Sequence, residues 1–218
     1  MLRGCKLDGK VILITGAAGT GKSTLVQLLL ERARPFRRVD YGQLLLEHKA
    51  RQSGRQMTYE ELRRDSAGVI TPDDVFAVDE WVIGQLPAWR AETNVIIDSH
   101  PVTKESFGFR VTPYTLQQVA RIGFDAIAVL VGDPSELAAR ISAKPQGRPA
   151  VNSFQVGFQV QLQAAVGTLY AISCARPCFI IDTTELNTEQ VLEAVLNVLL
   201  ESGVPFERCA ASTEPASQ

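Results

Sequence analysis

Three glycines within six residues, followed at once by lysine and serine, leave this chain few architectures. The segment Gly16-Ala17-Ala18-Gly19-Thr20-Gly21-Lys22-Ser23 fits the pattern G-x-x-x-x-G-K-[ST]. Its flanks fit as well. Before it, residues 11–15 form a short apolar run between Gly9-Lys10 and Gly16, which reads as a strand buried on both faces. After it, Leu25, Leu28, Leu29 and Leu30 recur at helical spacing until Pro35. A glycine-rich turn in that setting lets backbone amides approach phosphate oxygens, while the helix beginning near Lys22 points its positive end at the same charge. Lys22 is then expected to bridge the β- and γ-phosphates of ATP, and Ser23 to ligate magnesium (Mg2+). A turn that serves packing alone explains the glycines but not Lys22-Ser23.

The rest of the chain alternates in the same way. A strand at 38–40 leads to a helix near 43–52, and Thr58-Tyr59-Glu60-Glu61 has the capping-box pattern, so 40–70 reads as helical and polar. Thr71-Pro72-Asp73-Asp74 starts a helix expected to reach about Gln85, with a capping hydroxyl, an early proline and early acids. Apolar runs at 95–97 and 126–131 read as buried parallel strands. A helix at 115–121 lies between them, and Asp133-Pro134-Ser135-Glu136 caps the next one. The stretch 145–149 interrupts the pattern. A helix at about 151–174, a strand at 178–181 and an amphipathic helix at 188–201, stopped near Gly203, complete it. Such alternation implies an α/β fold, with a parallel sheet covered by helices on both faces and ligands at the carboxyl ends of the strands. The 218 residues suit one well-packed domain, 1–206, with 207–218 expected to be a disordered tail.

Composition removes several partners from consideration. A formal net charge of −2 offers no footprint for nucleic acid. No window approaches the roughly twenty apolar residues of a membrane span, and Met1-Leu2-Arg3-Gly4-Cys5 lacks the apolar run of a secretory signal. Cys5, Cys174, Cys178 and Cys209 are scattered in a way that fits neither a zinc knuckle nor a redox pair. A soluble cytoplasmic protein, with no nucleic-acid or membrane partner, is expected.

Asp98 ends the β-branched run Val95-Ile96-Ile97, where its carboxylate faces the phosphate site across the sheet. There it holds magnesium through water or orients an acceptor; the alternative is a turn or capping aspartate. His100 follows, placed to contact a substrate base or phosphate, or serving only as a satisfied loop residue. Phosphoryl transfer spreads charge over equatorial oxygens, so cations beyond Lys22 are required. The candidates are Arg63, Arg64, Arg110, Arg140, Lys144 and Arg148, each of which alone reads first as a solvated charge. Arg140 is expected to be the best placed, because it ends the helix begun at Asp133.

Taken in order, these motifs resemble an adenylate kinase of the archaeal type over most of residues 10–200. The phosphate loop, extended to Thr24, is shared by many nucleotide kinases. Val39-Asp40-Tyr41-Gly42 is more telling, as is Ile96-Ile97-Asp98-Ser99-His100, where that family carries a similar Asp-Thr-His. Phe107-Gly108-Phe109-Arg110-Val111-Thr112-Pro113 and the stretch from Asp133-Pro134 to Arg140 are similar to family segments at the monophosphate site and at the lid entry. The resemblance implies a P-loop three-layer sandwich with a five-stranded core, a helical monophosphate-binding insertion at about 41–85 and a short lid at about 141–152. It implies MgATP on Gly16, Ala17, Ala18, Gly19, Thr20, Gly21, Lys22, Ser23 and Thr24. A nucleoside monophosphate, most simply AMP, would lie against Tyr41, Gly42, Arg63, His100 and Arg110. Catalysis would fall to Lys22, Asp98, Arg140 and Arg148, and magnesium to Ser23 and Asp98. Family members also self-associate, so the apolar-rich stretch 154–172 serves the core or a homo-oligomer contact.

Two departures qualify the resemblance. Lys144-Pro145-Gln146-Gly147-Arg148-Pro149 has one arginine where family lids have several, and the next helix presents Gln155, Gln159, Gln161 and Gln163 where the family offers an arginine. Those glutamines are either helix-face polar residues or donors to a less charged ligand. The expectation is an ATP-dependent nucleoside-monophosphate kinase of reduced rate. The alternatives, in order, are a P-loop kinase of another small-molecule hydroxyl, with Asp98 as general base, and a nucleotide-binding switch with little activity.

Overall fold

Every residue of β1 (Val11–Gly16) is buried, as its unbroken apolar run requires, and the strand lies at the middle of the sheet. The computed structural model describes residues 8–54, 56–64, 66–146 and 148–209. After β1 come α1 (Lys22–Arg32), β2 (Ala33–Arg34) and β3 (Phe36–Asp40). Four helices then separate β3 from the next strand: α2 (Tyr41–Ser53), α3 (Tyr59–Arg64), α4 (Ser66–Val69) and α5 (Pro72–Arg90). β4 (Asn94–Asp98) leads to the hairpin of β5 (Val102–Glu105) and β6 (Gly108–Val111). The rest runs α6 (Leu116–Ile122), β7 (Ala126–Val131), α7 (Pro134–Ala143), α8 (Ser153–Cys174), β8 (Cys178–Asp182), α9 (Thr188–Glu201) and β9 (Glu207–Arg208).

Five strands pair in parallel in the order β3-β4-β1-β7-β8, the α/β arrangement that the alternation implied. Side chains alternate across the pleat. Val11 and Leu13 pack with Val82, Val119 and Tyr170 on one face, and Ile12 and Ile14 pack with Leu25, Leu29, Val195 and Leu199 on the other. Burying each such side chain contributes about 1.5–3 kcal/mol. The register sets Ile14 beside Asp98 and Asp40 beside Asp98, so the carboxyl ends of three neighbouring strands bring the acids to the edge where the glycine-rich loop begins.

Three features depart from the sequence-based expectation. α5 extends past Gln85 to Arg90 despite Pro87, because its apolar stripe continues through Leu86 and Trp89, and Trp89 packs edge-on against Trp81 at 5.8 Å. The polar stretch after Asp98 forms a hairpin rather than a loop; Glu105 is buried in it and accepts from the Thr103 hydroxyl at 2.7 Å and the Ala67 amide at 3.1 Å. Two of the residues assigned to the tail, Glu207 and Arg208, pair antiparallel with Arg34 and Ala33, fixed by the burial of Val204 and a 2.8 Å contact from Arg208 to Glu193. Residues 210–218 of that tail lie outside the described residues. The apolar stretch 154–172 does serve the core, through Val156, Val166 and Tyr170, while its other face leaves Phe154, Leu169 and Ile172 exposed. Among the described residues no helix is long and apolar enough to cross a membrane.

Candidate active site

The loop after β1 is shaped by its own sequence. Gly19 and Gly21 sit at φ 85 and 81, a region that disfavours side chains, and the Thr20 hydroxyl donates to the Ala17 carbonyl at 2.9 Å to close the turn. Gly21 is the N-cap of α1. Helices α5, α6, α8 and α9 all begin with complete capping boxes, whereas α1 has no side-chain cap and no acid in its first turn. Its first amides are therefore left to an external anion, and the helix dipole favours one. Lys22 is buried and Ser23 exposed at this terminus.

Charged groups gather across the sheet edge from the loop. The Lys22 ammonium contacts one oxygen of the buried Asp98 carboxylate. The Arg38 guanidinium donates to the other from Nε at 3.0 Å and from a terminal nitrogen at 2.6 Å, and also pairs with Asp40 at 2.8 Å. Residues 38 and 40 share a face of β3 because successive side chains alternate. Burial pushes the Lys22 pKa down to about 7; Asp40 opposes this, while Arg38, Arg148 and Arg63 reinforce it. Desolvation in the cleft also drives His100 well below its ordinary value, with Lys22 adding to the effect. His100 is thus neutral at pH 7. Its Nδ1 lies 3.1 Å from the Gly16 carbonyl, an acceptor, so Nδ1 carries the proton and Nε2 is left as an acceptor.

One cavity of about 410 Å³ joins this charged edge to the four-helix insertion and the β5–β6 hairpin. Lys22, Ser23, Arg38, Asp98 and His100 line it at one part, and Tyr41, Asp79 and Tyr114 at another. Arg63 from α3 and Arg148 from the segment after α7 also line it, and both donate to the Gln146 amide oxygen, at 3.2 and 3.3 Å. Among the described residues neither guanidinium pairs with a carboxylate. Desolvation lowers the Arg148 pKa, and the nearby Arg63 charge lowers it further. Two cations sharing one neutral oxygen are poised for an anion.

Known proteins give the same picture. Residues 15–154 match the family model described as AAA domain. The chain belongs to this family of P-loop kinases. The kinase is 25% identical to the adenylate kinase of Pyrococcus furiosus over 194 residues, covering 88% of this chain and 93% of that protein. Among solved structures, the tunicamycin resistance protein of Deinococcus radiodurans is similar with a TM-score of 0.54 at 16% identity, covering 91% of this chain and 98% of that one. Shikimate kinase of Bacteroides thetaiotaomicron is similar with a TM-score of 0.51 at 18% identity, covering 88% and 98%. At such identities the two structures speak for the fold alone.

Of the residues singled out by sequence, the kinase brings Lys22, Ser23, Tyr41, Gly42, Arg63, Asp98, His100, Arg110 and Arg148 to one cavity. A side chain at Gly42 would meet the Tyr59 ring at 2.7 Å, and the Tyr59 hydroxyl donates to Asp40 at 2.7 Å. Arg110 is engaged structurally, donating to the Ile70 carbonyl at 2.6 Å and the Ser66 hydroxyl at 2.8 Å. Arg140 is not brought in. Leu137 and Ile141 turn the inner face of α7 toward Gly19, which leaves Arg140 exposed and paired with Glu136 at 2.9 Å. Lys144 and Arg64 are exposed as well.

Three of the four glutamines help to position helix α8, and Gln159 also lines the cavity. Gln155 completes the α8 cap, Gln159 donates to the Val102 carbonyl at 3.2 Å, Gln163 donates to the Thr15 hydroxyl, and Gln161 is exposed. Sequence reasoning missed Arg38, Tyr59 and Asp79. Asp79 had a visible signal: it falls within the buried stripe Val78, Val82, Ile83 and Leu86, where an acid is out of place.

Proposed function

We propose that this kinase transfers the γ-phosphoryl group of MgATP to a nucleoside monophosphate, most simply AMP. The observation that carries the reading is the convergence of Arg63 and Arg148 on Gln146, in the wall of the cavity that also holds Lys22 and Ser23. A transferring phosphoryl group placed between them meets cations on both sides. The adenylate kinase name of the Pyrococcus furiosus relative supports the same acceptor class.

The uncapped start of α1 fits a triphosphate. Lys22 exchanges its contact with Asp98 for β- and γ-phosphate oxygens, and its positive charge is favoured there. Ser23 and Asp98 are the residues that would hold magnesium. Among the described residues no three acidic, His or Cys side chains are grouped to bind a metal alone, so nucleotide oxygens and water would supply its other ligands. When bound, magnesium neutralises charge on those oxygens. Arg38 and Arg63 face the acceptor phosphate, Arg148 reaches the transferring group, and closure of 141–152 over the cleft excludes competing water.

One observation favours a second reading. Arg38 is held by Asp98 and Asp40, which makes it less free for an acceptor phosphate and suits a hydroxyl acceptor, with Asp98 as base once Lys22 has turned to the triphosphate. A coupled assay with ATP separates the two, using AMP, GMP, CMP, UMP and dTMP against polyols and hydroxy acids. Diphosphate formation from a monophosphate is expected. Turnover with a hydroxyl acceptor alone transfers the conclusion to the second reading, and turnover with none overturns both.

A further inference from the structure

Two buried acids on α5 behave differently. Asp74 is satisfied several times over: it accepts from the Thr71 amide and hydroxyl at 2.8 Å each, pairs with Lys49 at 2.8 Å and lies 3.2 Å from His48. Its role is to cap the helix and anchor α2. Asp79, little more than one turn later, is 4% exposed and lines the cavity, yet no ion pair reaches it among the described residues. Around it stand tyrosines. Tyr41 and Tyr114 pack edge-on at 5.9 Å, Tyr114 packs on Tyr170 at 5.6 Å, and the Tyr41 and Tyr114 hydroxyl oxygens are buried with no hydrogen-bond partner. The Tyr170 hydroxyl, by contrast, accepts from the Tyr114 amide at 2.8 Å.

A buried carboxyl with no cation beside it, in reach of the Tyr41 hydroxyl alone, and two buried hydroxyls without a well-formed hydrogen bond are costly in a resting fold. Had the site served packing alone, Leu and Phe would fill it at no such cost. The group also stands apart from the phosphate-binding cations. Burial raises the Asp79 pKa to about 7, the Tyr41 hydroxyl opposes the shift and Glu80 adds to it, and among the described residues no cation pairs with the carboxyl. The polar floor is therefore suited to an uncharged, hydrogen-bonding part of the acceptor and not to its phosphate.

We propose that Asp79, flanked by Tyr41 and Tyr114, determines acceptor specificity by taking the amino-bearing edge of the nucleobase. This rests on the monophosphate reading above. A carboxyl group accepts from an exocyclic N–H, and each tyrosine hydroxyl can donate to a ring nitrogen or accept from an N–H. A base lacking the amino group offers Asp79 no donor and leaves the two hydroxyls as they are in the free protein. Loss of such a contact in a site built for it is strongly discriminating.

The test compares AMP with purine riboside 5′-monophosphate, which differs only in lacking the 6-amino group. Wild type is expected to favour AMP on the order of 10- to 100-fold in kcat/KM. Asp79→Leu should bring that ratio close to one through the KM for AMP, with the KM for ATP unchanged. Asp79→Asn, which keeps a carbonyl acceptor, should retain the preference. Tyr41→Phe and Tyr114→Phe remove only hydroxyls, should lower the ratio in the same direction, and decide the matter if the leucine variant does not fold. A ratio unchanged in the variants overturns the proposal, as does a parallel loss for both nucleotides and for ATP. Equal use of the two nucleotides by wild type overturns this inference alone, and use of neither overturns the monophosphate reading with it.

Discussion

The phosphate loop and the acceptor pocket share one cavity but are assembled differently. The loop is local: Gly16 to Ser23 are consecutive, and their hydrogen bonds and backbone angles are set by glycine at 19 and 21 and by the Thr20 hydroxyl. The acceptor pocket draws Tyr41 from α2, Arg63 from α3, Asp79 from α5, Arg110 from β6 and Tyr114 from the turn before α6. On the proposed reading, the first part grips the nucleoside triphosphate and the second chooses what receives the phosphoryl group. Substitutions at the two ends should therefore fail differently, the first in turnover and the second in the KM of one substrate.

The largest effect belongs to the loop. Lys22→Ala should lower kcat by on the order of a thousandfold or more, with circular dichroism and thermal melting close to wild type. Retained turnover would remove the loop from the chemistry. Next come the cations that link the two ends: Arg63→Gln and Arg148→Gln should each lower kcat/KM by roughly a hundredfold. The double variant should cost less than the product of the two, because both groups meet at Gln146. Arg140→Gln, on the exposed face of α7, should change turnover by no more than about twofold.

A smaller effect is expected at the pocket wall. Gly42→Ala forces the Tyr59 ring away from α2 and breaks its bond to Asp40. Stability should fall by about 1 kcal/mol, and the KM for the acceptor should rise several-fold while that for ATP holds. Unequal effects on the two KM values sharpen the division between the ends; equal effects blur it. The smallest effect is the pH dependence of stability at Asp79. A carboxyl raised to about 7 in the fold binds its proton more tightly folded than unfolded, so its contribution is full at pH below about 4 and is lost as pH rises through 7. Melting curves should show Asp79→Asn gaining on wild type between pH 5 and 8. Parallel curves would place the ionisation elsewhere.

The same division governs what the sequence discloses. The parallel sheet was legible because β1, β4 and β7 are built on short apolar runs, and the helix starts at Thr71 and Asp133 were legible because each carries a capping side chain followed by proline. The loop was legible for the same local reason. Arg38 was not, since its meaning depends on strand β3 lying in parallel register beside β4 and bringing Asp98 within reach. Arg140 misled because the spacing along α7 fixes a face relative to Leu137 and Ile141, and only the packing of those two against the loop shows which way that face turns. The hairpin at 102–111 hid because its inward group is Glu105, an acid that is acceptable in the interior only with the partners the fold supplies.

Whether the two ends work in line is tested most directly by a ligand that spans them: two adenosines joined by five phosphates, titrated calorimetrically against ATP and AMP separately. Linked occupancy should tighten binding by on the order of 10²- to 10⁴-fold over ATP alone. Lys22→Ala and Arg63→Gln should each remove most of that gain. A spanning ligand that binds no tighter than ATP would contradict a single cleft built for donor and nucleotide acceptor together.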